Sequence, residues 1–244
     1  MRLASPQCLT CNVQDCIMKK IDSPSLVAEI QPFKHTYEFK RGTRLYREGQ
    51  EPTGVYIIRT GLVKLEKRGP HGRTMILKMA GSSQSLGHHC IEPGDLHSST
   101  AVTVEDSRCC FIEIDAFRRA IHRSDTFRGA LRRLILADAR EMETKLALMT
   151  YQAVREKVAD TLLYLAKRYG YTPGGYGIKI NVDRQEMADM AGTTKEQVSK
   201  TLGELMHQGL IRCRAKHFKF IDREGLSALV DGHYAGNEAV KQAL

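Results

Sequence analysis

Between residues 33 and 114 the chain alternates short apolar runs with glycines. The stretch VYIIRTGLVKLEKRG contains two such runs, separated at Thr60 and Gly61, and RTMILKMAG and SRCCFIEID contain two more. Short β-rich runs with frequent glycine turns between them are typical of antiparallel sheets. This part of the chain is therefore predicted to form an antiparallel sandwich or roll.

The apolar spacing changes after Ser124, which stands where a helix N-cap is expected. Residues 125–150 contain no proline and are rich in helix-forming residues. In this stretch and just beyond it, apolar residues recur at alternating spacings of four and three: Ile135, Ala139, Met142, Leu146, Met149 and Ala153. This is the seam of a coiled coil, so the helix is predicted to pair with its own copy in a homodimer. A single helix lying on its own domain is the alternative.

The last third of the chain predicts a helix-turn-helix. A helix is expected from about Gln152 to Arg168, followed by a glycine-rich loop and a short strand, IKINV. In DRQEMADMAGTTKEQVSKTLGELMHQGLI, two pairs have the spacing of a capping box, Asp183 with Glu186 and Thr193 with Glu196. The inner faces of these two helices are assigned to Met187, Ala188, Met190, Ala191, Val198, Leu202 and Leu205. This pattern is typical of a helix-turn-helix, and LIRCRAKHFKFID after it predicts the two strands of a wing.

The net charge of the chain indicates the class of its binding partner. The chain of 244 residues has 37 basic and 28 acidic residues, a net charge of +9, which suits a polyanion such as DNA. No apolar run approaches the roughly 18 residues of a membrane span, and the N-terminus lacks a secretory signal. A cytoplasmic protein is therefore expected, in which thiols are kept reduced.

The second helix of the helix-turn-helix offers candidate DNA contacts. With its apolar residues turned inward, Lys195, Glu196, Ser199 and Lys200 are left on the open face, where they are expected to meet base edges in the major groove. Lys216 in the wing is a candidate phosphate contact. The other basic wing residues are Arg212, Arg214 and Lys219. A merely solvated, charged helix is the alternative.

Three of the seven cysteines lie within nine residues near the N-terminus. Cys8, Cys11 and Cys16 have the spacing C-x2-C-x4-C. In a reducing compartment, clustered cysteines indicate metal ligands or reactive thiols before they indicate disulfides.

The order of these elements resembles the CRP/FNR family of bacterial transcription regulators, and the resemblance covers nearly the whole chain. It implies an α+β protein with an N-terminal antiparallel β-roll of the cyclic-nucleotide-binding type, a long dimerisation helix and a C-terminal winged helix-turn-helix. The expected divisions are 1–20 for the cysteine-bearing segment, 21–123 for the roll, 124–151 for the dimerisation helix, 152–232 for the DNA-binding domain and 233–244 for a tail. The stretch RQEMADMAGTTKEQVSKTLGELMHQGLI is the most specific part of the resemblance.

The FNR branch of this family implies a cofactor. Its regulators carry a similar N-terminal triad and a fourth cysteine in the last strand of the roll, a stretch that EDSRCCFIEIDAF resembles. The resemblance therefore implies an oxygen-labile [4Fe-4S] cluster on Cys8, Cys11, Cys16 and Cys110. Zinc on the same cysteines, a cluster-free thiol switch and Cys90 as the fourth ligand remain alternatives, as does haem on the His88-His89 pair. Cys109 is expected to be buried on the other face of the strand, and Cys213 to be a core residue.

The same resemblance implies how the protein acts. The FNR branch reads DNA with the arrangement E-x-x-S-R, matched here by Glu196, Ser199 and Lys200, with lysine in place of arginine. An inverted-repeat DNA site, a homodimer and RNA polymerase are the implied partners. His88 and His97 stand where cyclic-nucleotide-binding members have a glutamate and an arginine, so no cyclic nucleotide is expected. No enzyme motif is present.

Overall fold

The computed structural model describes residues 2–3, 6–173 and 176–231, so the predicted tail lies outside the described residues. The chain divides into two compact units, Met1–Ala139 and Arg140–Leu244. Among the described residues, no helix combines the length and the apolarity needed to cross a bilayer.

Two antiparallel sheets form the β-roll of the first unit. Its strands are β1 (Arg2–Leu3), β2 (Lys34–Phe39), β3 (Arg44–Tyr46), β4 (Gly54–Thr60), β5 (Val63–Arg68), β6 (Thr74–Ala80), β7 (Ser85–Leu86), β8 (Thr100–Thr103) and β9 (Ser107–Glu113). One sheet has the order β1-β2-β9-β4-β7 and the other the order β3-β8-β5-β6. The predicted antiparallel roll is confirmed.

Strand β9 lies between β2 and β4 and separates two apolar cores. Cys110 is opposite Thr36 of β2 and Ile57 of β4, whereas Cys109 is opposite Tyr37 and Ile58. Because successive side chains of a strand point to opposite faces, Cys110 packs in one core and Cys109, fully buried, in the other. The expected burial of Cys109 is confirmed.

Three α-helices accompany the roll. They are α1 (Pro24–Ile30), α2 (Ile114–Arg123) and α3 (Asp125–Tyr151), and short 3₁₀ turns cover Ile17–Lys20, Gln31–Phe33 and Pro70–Gly72. Ser124 caps α3, as predicted, by accepting a hydrogen bond from the backbone N–H of Phe127 (3.2 Å). The boundary between the two units falls within α3.

The second unit is a winged helix. Its elements are α4 (Val154–Tyr169), α5 (Arg184–Ala191), α6 (Lys195–His207), β10 (Ile211–Arg214), β11 (His217–Phe220) and α7 (Arg223–Asp231). Between α5 and α6 the chain turns at Gly192, which has a left-handed φ of 62°. A Cβ atom built at Gly192 would lie 2.5 Å from the methyl group of Met149 in α3, so the end of α3 lies against this turn.

The apolar faces predicted for the helix-turn-helix are confirmed. All seven residues assigned to these faces are buried. Asp183 caps α5 in the predicted capping box, because its carboxylate accepts from the N–H of Glu186 (2.9 Å) and Glu186 accepts from the N–H of Asp183 (2.9 Å).

Two local predictions are wrong, and one helix boundary is shifted by two residues. The cap of α6 is Thr194, which accepts from the N–H of Gln197 (3.3 Å), and not Thr193 in a box with Glu196. IKINV forms no strand among the described residues, because only the isolated bridges Tyr171–Ile178 and Gly177–Lys219 involve this region. Helix α4 begins at Val154, since the backbone at Ala153 is extended.

The turn between β4 and β5 requires glycine at position 61, which gives a test of the roll. Gly61 has a φ of +95°, and a Cβ there would lie 2.3 Å from Oγ and 2.6 Å from Cα of Ser107. Gly61→Ala should therefore lower the free energy of unfolding by more than about 3 kcal/mol, measured by urea unfolding.

Gly42→Ala is the matched control. Gly42 has a φ of +80°, but an added Cβ meets nothing within 4 Å. Its cost should stay at the roughly 1–2 kcal/mol of left-handed strain alone. Equal losses in the two variants would contradict the steric role assigned to Ser107.

Candidate functional site

Three neighbouring cysteines and one that is distant in sequence line one cavity of the first unit. Cys8, Cys11 and Cys16 come from the N-terminal arm, defined as residues 6–30, and Cys110 comes from β9. The other lining residues are Val13, Met18, Lys19, Lys34, Ile57 and Arg59. The structure therefore brings together the four cysteines proposed as ligands. We call the space lined by these residues the cysteine cavity.

Hydrogen bonds hold the start of the arm against the roll. The backbone N–H of Cys8 donates to Oε1 of Gln31 (3.3 Å), and Nε2 of Gln31 donates to the carbonyl of Pro6 (3.3 Å). The ammonium group of Lys34 donates to the same carbonyl and to Sγ of Cys8 (3.2 Å). The first cysteine is thus fixed by contacts to the segment that leads into β2.

The arm also contacts the start of α3. Ser124 Oγ donates to Oδ1 of Asp22 (2.8 Å), and Thr126 Oγ1 donates to the carbonyl of Lys20 (3.0 Å). In addition to these bonds, apolar residues of the arm, of β9 and of α3 pack together in one core. Its members from these elements are Ile17, Met18, Ile21, Leu26, Val27, Ile30, Cys110, Ile112, Phe127 and Leu131.

Burial sets the protonation of the cavity thiols. Burial is the main cause that raises the pKa of Cys16 to about 11. A hydrogen bond from the Met18 backbone lowers this pKa, and the neighbouring thiols of Cys8, Cys110 and Cys11 raise it. Burial also raises the pKa of Cys110, although the positive charge of Lys34 opposes the shift. Both thiols are therefore protonated at neutral pH, and a bound metal would have to displace their protons.

The remaining cysteines are not among the described residues that line the cavity. Cys90 is buried, and its thiol donates to the carbonyl of Leu96 (3.2 Å). Burial raises the pKa of Cys109 to about 12. Cys213 is only partly buried, and its thiol contacts the carbonyl of Ala215 (3.6 Å), so its assignment as a core residue is wrong, although it shares a face of the wing hairpin with the buried Ile211.

Three basic residues that line the cavity, Lys19, Lys34 and Arg59, were missed by sequence reasoning. Lys34 is only 3% exposed, and Arg59 lies on β4. Lys34 and Thr36 are two residues apart in β2 and therefore face the same, buried side of the strand. The alternation along β2 thus contained a sequence signal for the burial of Lys34. That signal could not be interpreted without knowing which face of the strand is covered.

The two histidines expected to replace cyclic-nucleotide contacts are buried in the roll. His97 stacks on Tyr46, with ring centroids 3.8 Å apart. The Nδ1 atom of His88 lies 3.1 Å from Ser85 Oγ, and its Nε2 lies 3.2 Å from a carboxylate oxygen of Asp138. Burial lowers the pKa of both imidazoles. Neither ring therefore supplies a fixed positive charge at neutral pH.

Helix α6 presents the predicted polar face to solvent. Lys195, Glu196, Ser199 and Lys200 are all exposed. Ser199 Oγ donates to the Lys195 carbonyl (2.9 Å), and hydrogen bonds from the backbone of Glu196 and from Thr194 lower the pKa of the Glu196 carboxyl. This face therefore offers ammonium donors, a hydroxyl and a carboxylate acceptor, which match the groups on base edges.

The wing (residues 211–220) is a hairpin of β10 and β11 with three exposed basic side chains, those of Arg212, Arg214 and Lys219. Lys216 at its tip is half-buried, and its Nζ lies 3.3 Å from Oδ2 of Asp183, the cap of α5. The ammonium of Lys216 thus already has a carboxylate partner in the free protein.

Comparison with known protein families assigns both parts of the chain. The model of the cyclic nucleotide-binding domain matches residues 36–124, and the model of the Crp-like helix-turn-helix domain matches residues 156–229. These ranges contain the strands of the roll from Thr36 in β2 to the end of β9, and the helix-turn-helix with its wing.

Curated relatives span the chain. A CRP-like cAMP-activated global transcriptional regulator of Mycobacterium tuberculosis is 31% identical over 84% of this chain and 92% of its own length. The fumarate and nitrate reduction regulatory protein of Salmonella typhimurium is 23% identical over 90% of each chain. The structure of FixK2 from Bradyrhizobium japonicum superposes with a TM-score of 0.72 at 22% identity, covering 80% of this chain and 96% of that one. The chain belongs to the CRP/FNR family, a family of DNA-binding transcription regulators and not of enzymes.

Proposed function

We propose that this regulator controls its binding to DNA through an oxygen-labile [4Fe-4S] cluster held by Cys8, Cys11, Cys16 and Cys110. One observation carries the proposal: three cysteines of the N-terminal arm and one cysteine of β9, about a hundred residues away in sequence, line the same cavity. Four thiolates are the usual ligand set of such a cluster.

The chemistry of the cavity suits an anionic group. Lys34 and Arg59 place positive charge beside the four thiols, and Lys34 donates directly to the sulfur of Cys8. Hydrogen bonds and charges next to ligating sulfurs stabilise thiolates and tune the potential of the bound group. When bound, the cluster would supply a centre that oxygen can convert or remove.

The arm is positioned to transmit loading of the cavity to the dimerisation helix. Four residues after Cys16, the Lys20 carbonyl accepts from Thr126, and Asp22 accepts from Ser124, the cap of α3. Cysteines bound to a common group would hold the arm against the roll and keep these bonds in place. Release of the cysteines would loosen the packing of Phe127 and Leu131 at the start of α3.

A thiol switch without a cluster would use the same cysteines and would leave the anaerobically purified protein colourless. Zinc on the same four cysteines remains an outcome of the experiment below.

The DNA site follows from the resemblance to the FNR branch. Members of the CRP/FNR family bind DNA as dimers, and we infer that α3 pairs with its copy along the apolar seam. The expected site is an inverted repeat resembling TTGAT-N4-ATCAA, with Lys200 donating to guanine, Glu196 facing the paired cytosine and Ser199 a neighbouring thymine. RNA polymerase at the target promoter and a cytoplasmic location are part of the same proposal.

The ligand prediction is tested by the visible chromophore of anaerobically purified protein. Replacing any of Cys8, Cys11, Cys16 or Cys110 with serine should abolish the broad absorption, because each removes one of the four thiolates. Iron and acid-labile sulfide should fall with it.

Cys109→Ser and Cys213→Ser are the matched controls, and both should keep the chromophore. Cys109 is adjacent to Cys110 but packs in the other core. A colourless wild-type protein that contains zinc would show that a structural metal, and not a cluster, occupies the cavity. A full chromophore in Cys110→Ser would refute the assigned fourth ligand.

The DNA prediction concerns Lys200. Lys200→Ala should cost roughly 1–3 kcal/mol on the intact site and reduce discrimination at the G·C pair, whereas Lys200→Arg, which restores a bidentate donor, should sharpen it. The measurement is anaerobic binding to half-site variants at fixed salt.

Lys219→Ala serves as the wing control, because Lys219 is exposed whereas Lys216 is paired with Asp183. It should weaken binding to all sequences alike and lower the salt dependence if it contacts a phosphate. An equal loss on every half-site for Lys200→Ala would show that Lys200 does not read a base.

A third prediction is that cAMP does not bind the roll at micromolar concentration. His88 and His97 are buried and neutral at the positions that resemble the nucleotide-binding glutamate and arginine. Titration calorimetry on the full chain should show no saturable heat, and a saturable isotherm would overturn the assignment.

A further inference from the structure

We propose that His88, His89 and Asp138 form a second metal site, for a single divalent ion of the zinc class. The site lies in the first unit, and its ligands differ entirely from those of the cysteine cavity. It therefore stands or falls independently of the proposed function.

Three ligand atoms converge on one point. The Nε2 atoms of His88 and His89 each lie 3.2 Å from Oδ2 of Asp138, and the three atoms lie within 4.8 Å of one another. For metal–ligand bonds of about 2.0–2.1 Å, ligand atoms around a tetrahedral ion are about 3.3 Å apart. The two nitrogen–oxygen distances are thus already those of a loaded site.

The His88 ring is held in the orientation of a ligand. It is only 2% exposed, and its Nδ1 lies 3.1 Å from Ser85 Oγ. A proton on Nδ1 would be donated to this hydroxyl and would leave the lone pair of Nε2 directed toward Asp138. Metal-binding histidines are usually oriented by such a bond from the other ring nitrogen.

The Nε2 atom of His88 is fully buried and lies 3.2 Å from Oδ2 of Asp138. The geometry of this ion-pair contact is not that of a good hydrogen bond, and no other described residue bonds Nε2. Burying a polar atom without a partner is costly. A bound cation between Nε2 and Oδ2 would remove this cost, and this is the observation that favours a metal over a simple histidine–carboxylate contact.

The other carboxylate oxygen has its own partner. Lys78 Nζ contacts Oδ1 of Asp138, which leaves Oδ2 for the two imidazoles. Ligating carboxylates are commonly fixed by such an outer contact. The side chain of His89 is 42% exposed, so an ion can enter from solvent and can keep a water molecule as a fourth ligand.

Two imidazole nitrogens and one carboxylate oxygen suit Zn²⁺, and by geometry also Co²⁺, better than Ca²⁺ or Mg²⁺, which prefer oxygen ligands. The ligands join the loop after β7 to α3, with Lys78 on β6 beside them. A bound ion would therefore tie this part of α3 to the roll, on a contact separate from that of the N-terminal arm.

Equilibrium dialysis of the full chain against Co²⁺, followed by metal analysis, tests the site. His89→Ala and Asp138→Asn should each bind one equivalent less than wild type. All seven cysteines are retained in these variants, so cobalt held by thiolates is the same in each. The difference between the absorption spectra of cobalt-loaded wild type and variant should lack the intense near-ultraviolet band of cobalt–thiolate bonds.

His122→Ala is the control, since His122 is an exposed histidine of α2 outside the cluster. It should bind as many equivalents as wild type. Circular dichroism verifies folding, and His89→Ala removes only a half-exposed side chain, so it is the decisive variant. Equal cobalt content in wild type and folded His89→Ala would overturn the proposal, whatever the state of the cysteine cavity.

Discussion

Burial of the N-terminal arm against β9 and the start of α3 is the interaction on which the first unit depends. Ile17 and Met18 of the arm share a core with Phe127 and Leu131 of α3. Transfer of apolar side chains from water supplies the main driving force for this packing, roughly 25 cal/mol per Å². The same packing brings the three cysteines of the arm to the face of β9 that carries Cys110, so the cavity is a product of the core.

Much of this architecture could be predicted from sequence because its signals are local. The change of apolar period at Ser124, the cap at Asp183 and the buried faces of α5 and α6 each depend on a few neighbouring residues. Resemblance to a family supplied the pairing of Cys110 with the triad. Alternation along β9 separates Cys109 from Cys110, but it does not say which of the two faces the arm.

Most of the failures come from interactions between segments that are distant in sequence, and the cap of α6 is a local exception. IKINV has the composition of a strand, yet the residues around it form only single bridges, to Tyr171 and Lys219. Thr193 and Thr194 are equivalent as candidate caps until the path of the Gly192 turn is known. The roles of Lys34 in the cysteine cavity and of Asp138 beside His88 depend on contacts 26 and 50 positions away, which no local pattern encodes.

The contact between Met149 and Gly192 couples two positions that serve different tasks. Met149 belongs to the apolar seam predicted for α3, and its methyl group occupies the space that a side chain at position 192 would need. A larger residue at the turn would have to displace this methionine, so the effects of substitutions at the two sites should not be additive. This contact gives the turn of the DNA-binding motif a direct link to the end of the long helix.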